Sequence, residues 1–154
     1  MAKVAVVFWS GTGNTEKMAG AVLRGVKKGG AEAELFHVSD FSVEKMAAFN
    51  GFLFGCPASG VEDLEESEFE PFFEKAEKKL SGVPVGLFGS YGWGGGPWME
   101  SWTERVHAAG ANLVADGVIQ EADPDSAGLA ACEALGETLA TSALFEHVKE
   151  LLHT

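Results

Sequence analysis

The chain has 154 residues, 46% of them hydrophobic and 22% charged, which fits one domain with a real core and excludes a disordered or fibrous polymer. Acidic residues outnumber basic ones 23 to 11, a formal net charge of −12; that field repels nucleic acid and anionic membranes and attracts basic protein surfaces. No apolar run reaches the length of a bilayer span, and Met1-Ala2-Lys3-Val4 passes into strand-like sequence without a signal-peptide pattern, so the expected location is the cytoplasm.

The first predicted element is Val4–Phe8, a continuous apolar run suited to a parallel strand covered on both faces. A loop, Ser10 to Thr15, follows, and then Met18, Ala19, Val22, Leu23 and Val26 recur at helical spacing until Gly29-Gly30 stops them. Leu35–Val38 reads as a second strand, and Phe52–Cys56 as a third, closed by Pro57. Phe69, Phe72, Phe73, Ala76 and Leu80 mark a helix, and Val83–Gly89 a fourth strand. Trp98, Met99, Trp102 and Val106 form the next helical stripe; their periodicity favours core packing. Asn112–Ile119 reads as a fifth strand interrupted at Asp116-Gly117, and a last helix begins near Asp125-Ser126. Strands alternating with helices predict an α/β fold, a parallel five-stranded sheet with helices on both faces. The two cysteines, Cys56 at a strand end and Cys132 on a helix, lack metal-ligand spacing and read as free thiols.

In such sheets ligands bind beyond the carboxyl ends of the strands. The loop Ser10-Gly11-Thr12-Gly13-Asn14-Thr15 offers glycines that let amides turn inward, hydroxyl donors, and a helix N-terminus that favours an anion. It reads either as a plain turn or as a monophosphate cradle. It matches neither GxxxxGK[ST] nor GxGxxG, position 16 being Glu; Lys17 falls on the helix, where a solvated side chain is expected. After the fourth strand, Ser90-Tyr91-Gly92-Trp93-Gly94 places aromatics among glycines, and Trp93 or Tyr91 can form a flat wall against a planar ligand. After the third strand, Pro57-Ala58-Ser59-Gly60-Val61-Glu62 supplies a pliant peptide at Gly60 and an acceptor-only carboxylate at Glu62, which serves either a ring N–H or a helix entry.

Trp9–Glu16, Gly55–Ala58, Leu64–Ser67 and Gly86–Gly94 resemble the short-chain flavodoxins of anaerobic bacteria, with the similarity running to about residue 140. The resemblance implies a flavodoxin-like three-layer sandwich of strand order 2-1-3-4-5 with non-covalent FMN. It implies a low-potential one-electron carrier cycling among oxidised, neutral semiquinone and hydroquinone states, not an enzyme. Ser10–Thr15 then match the phosphate site, Trp93 the stacking residue and Glu62 the acceptor from N3–H. Gly60 matches the residue whose carbonyl meets N5–H on reduction. Redox proteins with basic surfaces, such as ferredoxin- or flavodoxin-coupled reductases and oxidoreductases, are the implied partners of a monomer. Ser59, Val61 and Gly95 depart from the residues common in the family. A β-branched Val61 resists the positive φ of a type II turn, which weakens the carbonyl-toward-flavin state. Loss of local negative charge at Val61 and Gly95 acts oppositely on the second potential.

The run Glu62, Asp63, Glu65, Glu66, Glu68, Glu70 reads either as a solvated helix face or as a negative rim that steers basic partners. The domain expected from the resemblance spans residues 1–141. Residues 142–154 form a helical extension in which Leu144, Phe145, Val148, Leu151 and Leu152 share one face, expected to pack on the same domain rather than on a partner. An FMN-dependent quinone or flavin reductase on the same fold is the alternative function. His37, His107, His147 and His153 are too scattered to form its catalytic cluster.

Overall fold

In the computed structural model, which describes residues 2–59, 63–92 and 95–153, strands and helices alternate as their patterning predicts. The chain runs β1 Lys3–Phe8, α1 Asn14–Lys28, β2 Glu32–His37, β3 Gly51–Gly55, α2 Phe69–Ala76, β4 Pro84–Tyr91, α3 Pro97–Ala108, β5 Asn112–Leu113, β6 Val118–Glu121 and α4 Ser126–Leu152. Among the described residues the strands of the sheet pair in parallel, in the order β2-β1-β3-β4-β5, with β6 also on β4.

Side chains leave the strands alternately. Ala5, Val7, Phe52, Phe54, Val85 and Leu87 enter a core shared with α2 and α3. Val4, Val6, Phe8, Leu53 and Phe88 enter a second core under α1 and α4. Two covered faces explain why β1, β3 and β4 are continuous apolar runs, whereas β2, at the sheet edge, carries Glu32 and Glu34 outward. Trp98 and Trp102 are fully buried core residues, as their spacing predicts, and Phe69 and Phe73 meet the Trp102 ring edge-on at 5.5 and 5.6 Å.

The two helices of the second layer cross at glycines. A Cβ on Gly25 would lie 1.9 Å from the Glu133 carbonyl oxygen, and one on Gly136 would lie 2.2 Å from that of Val22. Only hydrogen at both positions lets the backbones approach so closely.

Boundaries differ from the sequence expectation where tertiary contacts intervene. The fifth strand is two pieces, β5 and β6, both on β4; between them Gly117 packs so closely on Met99 that a Cβ there would meet its sulfur at 2.5 Å. The second strand starts earlier, at Glu32, and Val38 already belongs to a 3-10 turn. The helix containing Phe69 ends at Ala76, and a 3-10 turn carries the chain to Lys79. Strand β4 runs on through Ser90 and Tyr91, which the sequence reading assigned to a loop. Helix α4 continues unbroken to Leu152, capped at its start by Asp125 Oδ1 accepting from Gly128 N at 2.7 Å. In the expected extension Ala143 and Leu144 pack on the domain, and Phe145, Val148, Leu151 and Leu152 are more than half exposed.

Candidate functional site: a cleft at the carboxyl ends of β1, β3 and β4

Strand β1 continues one residue beyond its assigned end, Trp9 N donating to Gly55 O at 3.0 Å. The Trp9 indole then lies across Gly11, so that a Cβ on Gly11 would be 3.0 Å from the ring, and its Nε1 donates to Glu68 Oε1 at 3.1 Å. Gly13, at φ 97, takes the left-handed conformation that turns the chain into α1, and as a glycine it offers no side chain of its own to cap the helix. Ser10 Oγ accepts from Gly13 N at 3.1 Å and from Glu16 N at 3.4 Å, so its lone pairs hold the loop itself together. Among the described residues nothing accepts from the amides of Thr12, Asn14 and Thr15. Three unpaired donors at the positive end of a helix make an anion site. The buried Thr15 hydroxyl lies 3.0 Å from that of Ser90, which ties α1 to the end of β4.

The second segment is fixed from behind. Cys56 N donates to Phe88 O at 3.1 Å, Cys56 O accepts from Trp98 Nε1 at 3.2 Å, and Glu65 N donates to Cys56 Sγ at 3.3 Å. Burial pushes the Cys56 thiol well above its ordinary range, so it is a packing group rather than a nucleophile. Ala58 N then donates to Ser90 O at 3.0 Å, and Ser59 N to Asp63 O at 2.8 Å. Gly60, Val61 and Glu62, between that last pair, lie outside the described residues, as do Trp93 and Gly94.

Together these segments enclose a cleft of about 370 Å³ where the sheet order reverses. Of the residues predicted from sequence, Ser10, Gly11, Thr12, Asn14, Thr15, Pro57, Ala58, Ser90, Tyr91 and Gly92 line it. Gly13 sets the loop's turn and Ser59 pairs with Asp63; neither forms its wall. Tyr91 is half-buried, its ring 5.7 Å from Trp98 and part of the core's edge. No histidine lines the cleft among the described residues.

Two wall residues escaped the sequence reading. Trp9 could have been found as an aromatic at a strand end directly before the glycines. Ala122 carried no signal: it closes the cleft from the connection after β6, with N donating to Tyr91 O at 2.7 Å, and it holds φ 53 although it has a Cβ. Such strain gathers at functional sites.

The acidic run is only partly a free rim. Desolvation opposes ionisation of Glu65, but hydrogen bonds from Ser67, Phe69 and Glu68 outweigh it and hold this carboxyl below its ordinary range. Glu70 receives both terminal nitrogens of Arg105, at 2.6 and 2.9 Å, while Glu77 takes its Nε. Asp63, Glu66 and Glu68 remain exposed. Lys17, expected to be solvated, is exposed but paired with Asp123 at 2.6 Å.

These features define an α/β protein with an anion-binding helix start and an aromatic-edged cleft. The Flavodoxin family model matches residues 6–135. The chain is 46% identical over 137 residues to the flavodoxin of Megasphaera elsdenii, covering 89% of this chain and 98% of that one. It is 45% identical over 122 residues to the flavodoxin of Clostridium beijerinckii, covering 79% and 88%. The solution structure of two-electron reduced M. elsdenii flavodoxin superposes with a TM-score of 0.79, covering 90% of this chain and 98% of that one. The chain belongs to the flavodoxin family: it is an electron-transfer protein with FMN as cofactor that works with redox partners. The residues present fit that cofactor, since the cleft volume lies in the range of small-molecule sites and its unpaired amides suit a phosphate. No helix among the described residues is long and apolar enough to cross a membrane.

Proposed function

We propose that the loop Ser10–Thr15 holds the FMN phosphate and that the flavin ring lies toward Pro57–Glu62 and Ser90–Gly94, in a low-potential carrier acting in the cytoplasm as a monomer. The observation that carries this assignment is the set of amides on Thr12, Asn14 and Thr15 that find no acceptor among the described residues at the start of α1. An acceptor-rich dianion takes up all three, and the Thr12 hydroxyl and one hydroxyl of the Thr15–Ser90 pair stand beside them as further donors, the other proton of that pair lying between the two oxygens. Ser10 positions the loop from within. Pro57, Ala58 and Tyr91 offer apolar walls, and Trp9 limits solvent access to the phosphate side. By their match to the family, Trp93 stacks on the ring, Glu62 accepts from its imide N–H and the Gly60 carbonyl faces N5. FMN supplies the one-electron redox chemistry; the protein binds it, orients it and excludes water.

The exposed carboxylates Asp63, Glu66 and Glu68 flank this cleft and add to a field of net charge −12, which favours basic faces of ferredoxin- or flavodoxin-coupled reductases and oxidoreductases. Titration of apoprotein with FMN, followed by quenching of flavin fluorescence, tests the site. One FMN per chain is expected, with binding at least tenfold weaker after Thr15→Ala. Unaltered affinity in that variant and in Asn14→Pro, which removes one of the three amides, overturns the assignment.

A further inference from the structure

We propose that the protein carries a second binding site, at the amino ends of β3 and β4 and remote from the flavin cleft, that takes a small carboxylate with an aliphatic body.

The cavity there measures about 330 Å³, within the range of small-molecule sites. Phe49 and Phe52 line it from either side of the start of β3, and Val83 from the residue before β4. Val43 and Met46 reach it from the 3-10 turn Val43–Ala48. The flavin cleft opens at the carboxyl ends of the same strands. The two are a strand length apart, roughly 17 Å for β3 at about 3.3 Å per residue. The proposal is therefore independent of how the flavin sits.

Depth distinguishes this cavity from an apolar patch on a flat face. Met46 and Phe52 are 5% and 2% exposed and belong to the core shared with α2 and α3, so the floor reaches the core itself. The Phe49 and Phe52 rings stand 6.1 Å apart along it. An unfilled hollow leaves such side chains without partner atoms on one side, and an aliphatic chain restores those contacts.

The mouth selects the charge of the occupant. Apart from Glu44 and Lys79, every lining side chain is apolar. Lys75 lines the adjoining hollow, which shares Val43 and Glu44 with this one. Lys75 and Lys79 are exposed and form no salt bridge among the described residues. Glu44 is already served: its own backbone amide and then the Ser42 hydroxyl hydrogen-bond to the carboxylate and hold it below its ordinary range, with Lys79 and Lys75 adding to the effect. A third ammonium, that of Lys3, stands 6.0 Å from the centroid of the Phe49 ring. Three cations against one carboxylate reverse the local sign in a chain of net charge −12. An anionic head at the mouth complements that excess, and a cationic head does not.

The test titrates octanoate into the FMN-loaded protein, so that the flavin cleft is filled, and follows backbone amides and methionine methyls by NMR. Saturable shifts are expected at Val43–Phe49 and Val83, with a dissociation constant of about 1 mM or tighter. Octylamine, of equal chain length and opposite charge, should bind at least about tenfold more weakly. Lys79→Gln should weaken octanoate about two- to fivefold, and Ala47→Glu, which adds a carboxylate at the exposed rim, by more. Both substitutions are at exposed positions, and an unchanged flavin spectrum verifies the fold. Shifts absent from these residues, or spread over the exposed end of α4 instead, overturn the proposal. So do equal binding of octylamine and octanoate affinity that neither substitution moves. Shifts at the same residues on diluting the protein alone mean that a second copy covers the cavity, and also overturn it. An acidic leucine-containing peptide that binds there at least tenfold more tightly than octanoate assigns the cavity to a protein partner, with the same consequence.

Discussion

The hydroxyls of Thr15 and Ser90 lie 3.0 Å apart, both buried, and join the first turn of α1 to the last turn-facing residues of β4. Ser90→Ala leaves the Thr15 hydroxyl buried with one partner fewer. Apoprotein stability should fall by about 1 kcal/mol in urea denaturation. FMN affinity should fall as well, since both hydroxyls border the anion site. A variant as stable as wild type would mean that Thr15 finds another acceptor.

The crossing of α1 and α4 makes two glycine substitutions act in opposite directions. Gly136→Ala places a methyl 2.2 Å from the Val22 carbonyl oxygen, and backbone cannot move aside cheaply. A loss of at least about 1–3 kcal/mol is expected. Gly20→Ala, also on α1, meets nothing nearer than the Arg24 guanidinium at 3.8 Å. It should gain about 0.5–1 kcal/mol from helix propensity. Paired denaturation curves that move the same way would contradict this geometry.

Glu65 accepts from Ser67, Glu68 and Phe69 at the approach to α2, the work of an N-cap done from four residues upstream. Glu65→Gln should cost about 0.5–2 kcal/mol at neutral pH. Its carboxyl is held below its ordinary range in the fold, so this stabilisation is full above the unfolded value of about 4.3 and is lost as pH falls through the lower folded value. The stability difference between wild type and variant should therefore be constant near neutrality, begin to shrink below about pH 4.3 and vanish only once pH has fallen below the depressed folded value.

Cys56 and Cys132 are buried free thiols, and burial raises both, Cys132 to about 12. The native protein should consume no thiol reagent at pH 8 on the timescale of minutes, whereas denatured chain should consume two equivalents. Prompt reaction of one equivalent with native protein would show that one of these layers opens.

Ala122 pays for the closure of the cleft with a left-handed backbone. Ala122→Gly should leave stability within about 0.5 kcal/mol of wild type, relief of strain offsetting a more flexible unfolded chain. Ala122→Val should cost about 1–2 kcal/mol, since a β-branched side chain tolerates φ 53 still less well. Thermal melts of the two variants read the difference.

The strands and the anion loop were legible because their signals are local. Continuous apolar runs announce strands covered on both faces, and Ser-Gly-Thr-Gly-Asn-Thr between a strand and a helix carries its chemistry in consecutive backbone amides. Glu65 and Glu70 looked like free rim charge because charge counts do not see partners. Their partners are the amides of a helix start and an arginine 35 residues away. The apolar stripe of the C-terminal helix is a signal of the same local kind: its periodicity marks one face, and exposure along that face is decided by tertiary contacts.

The sequence by itself therefore determined the order of elements, the placement of three loops at strand ends and the anion-binding character of the first. Only the tertiary structure decided that Trp9 covers Gly11, that Ala122 closes the cleft in a strained conformation, that Gly25 and Gly136 bring two helices into contact, and that Lys17 belongs with Asp123. Those pairings join positions as much as 111 residues apart. They are fixed by how layers stack on the sheet, a property of packed volume and not of any short stretch of chain.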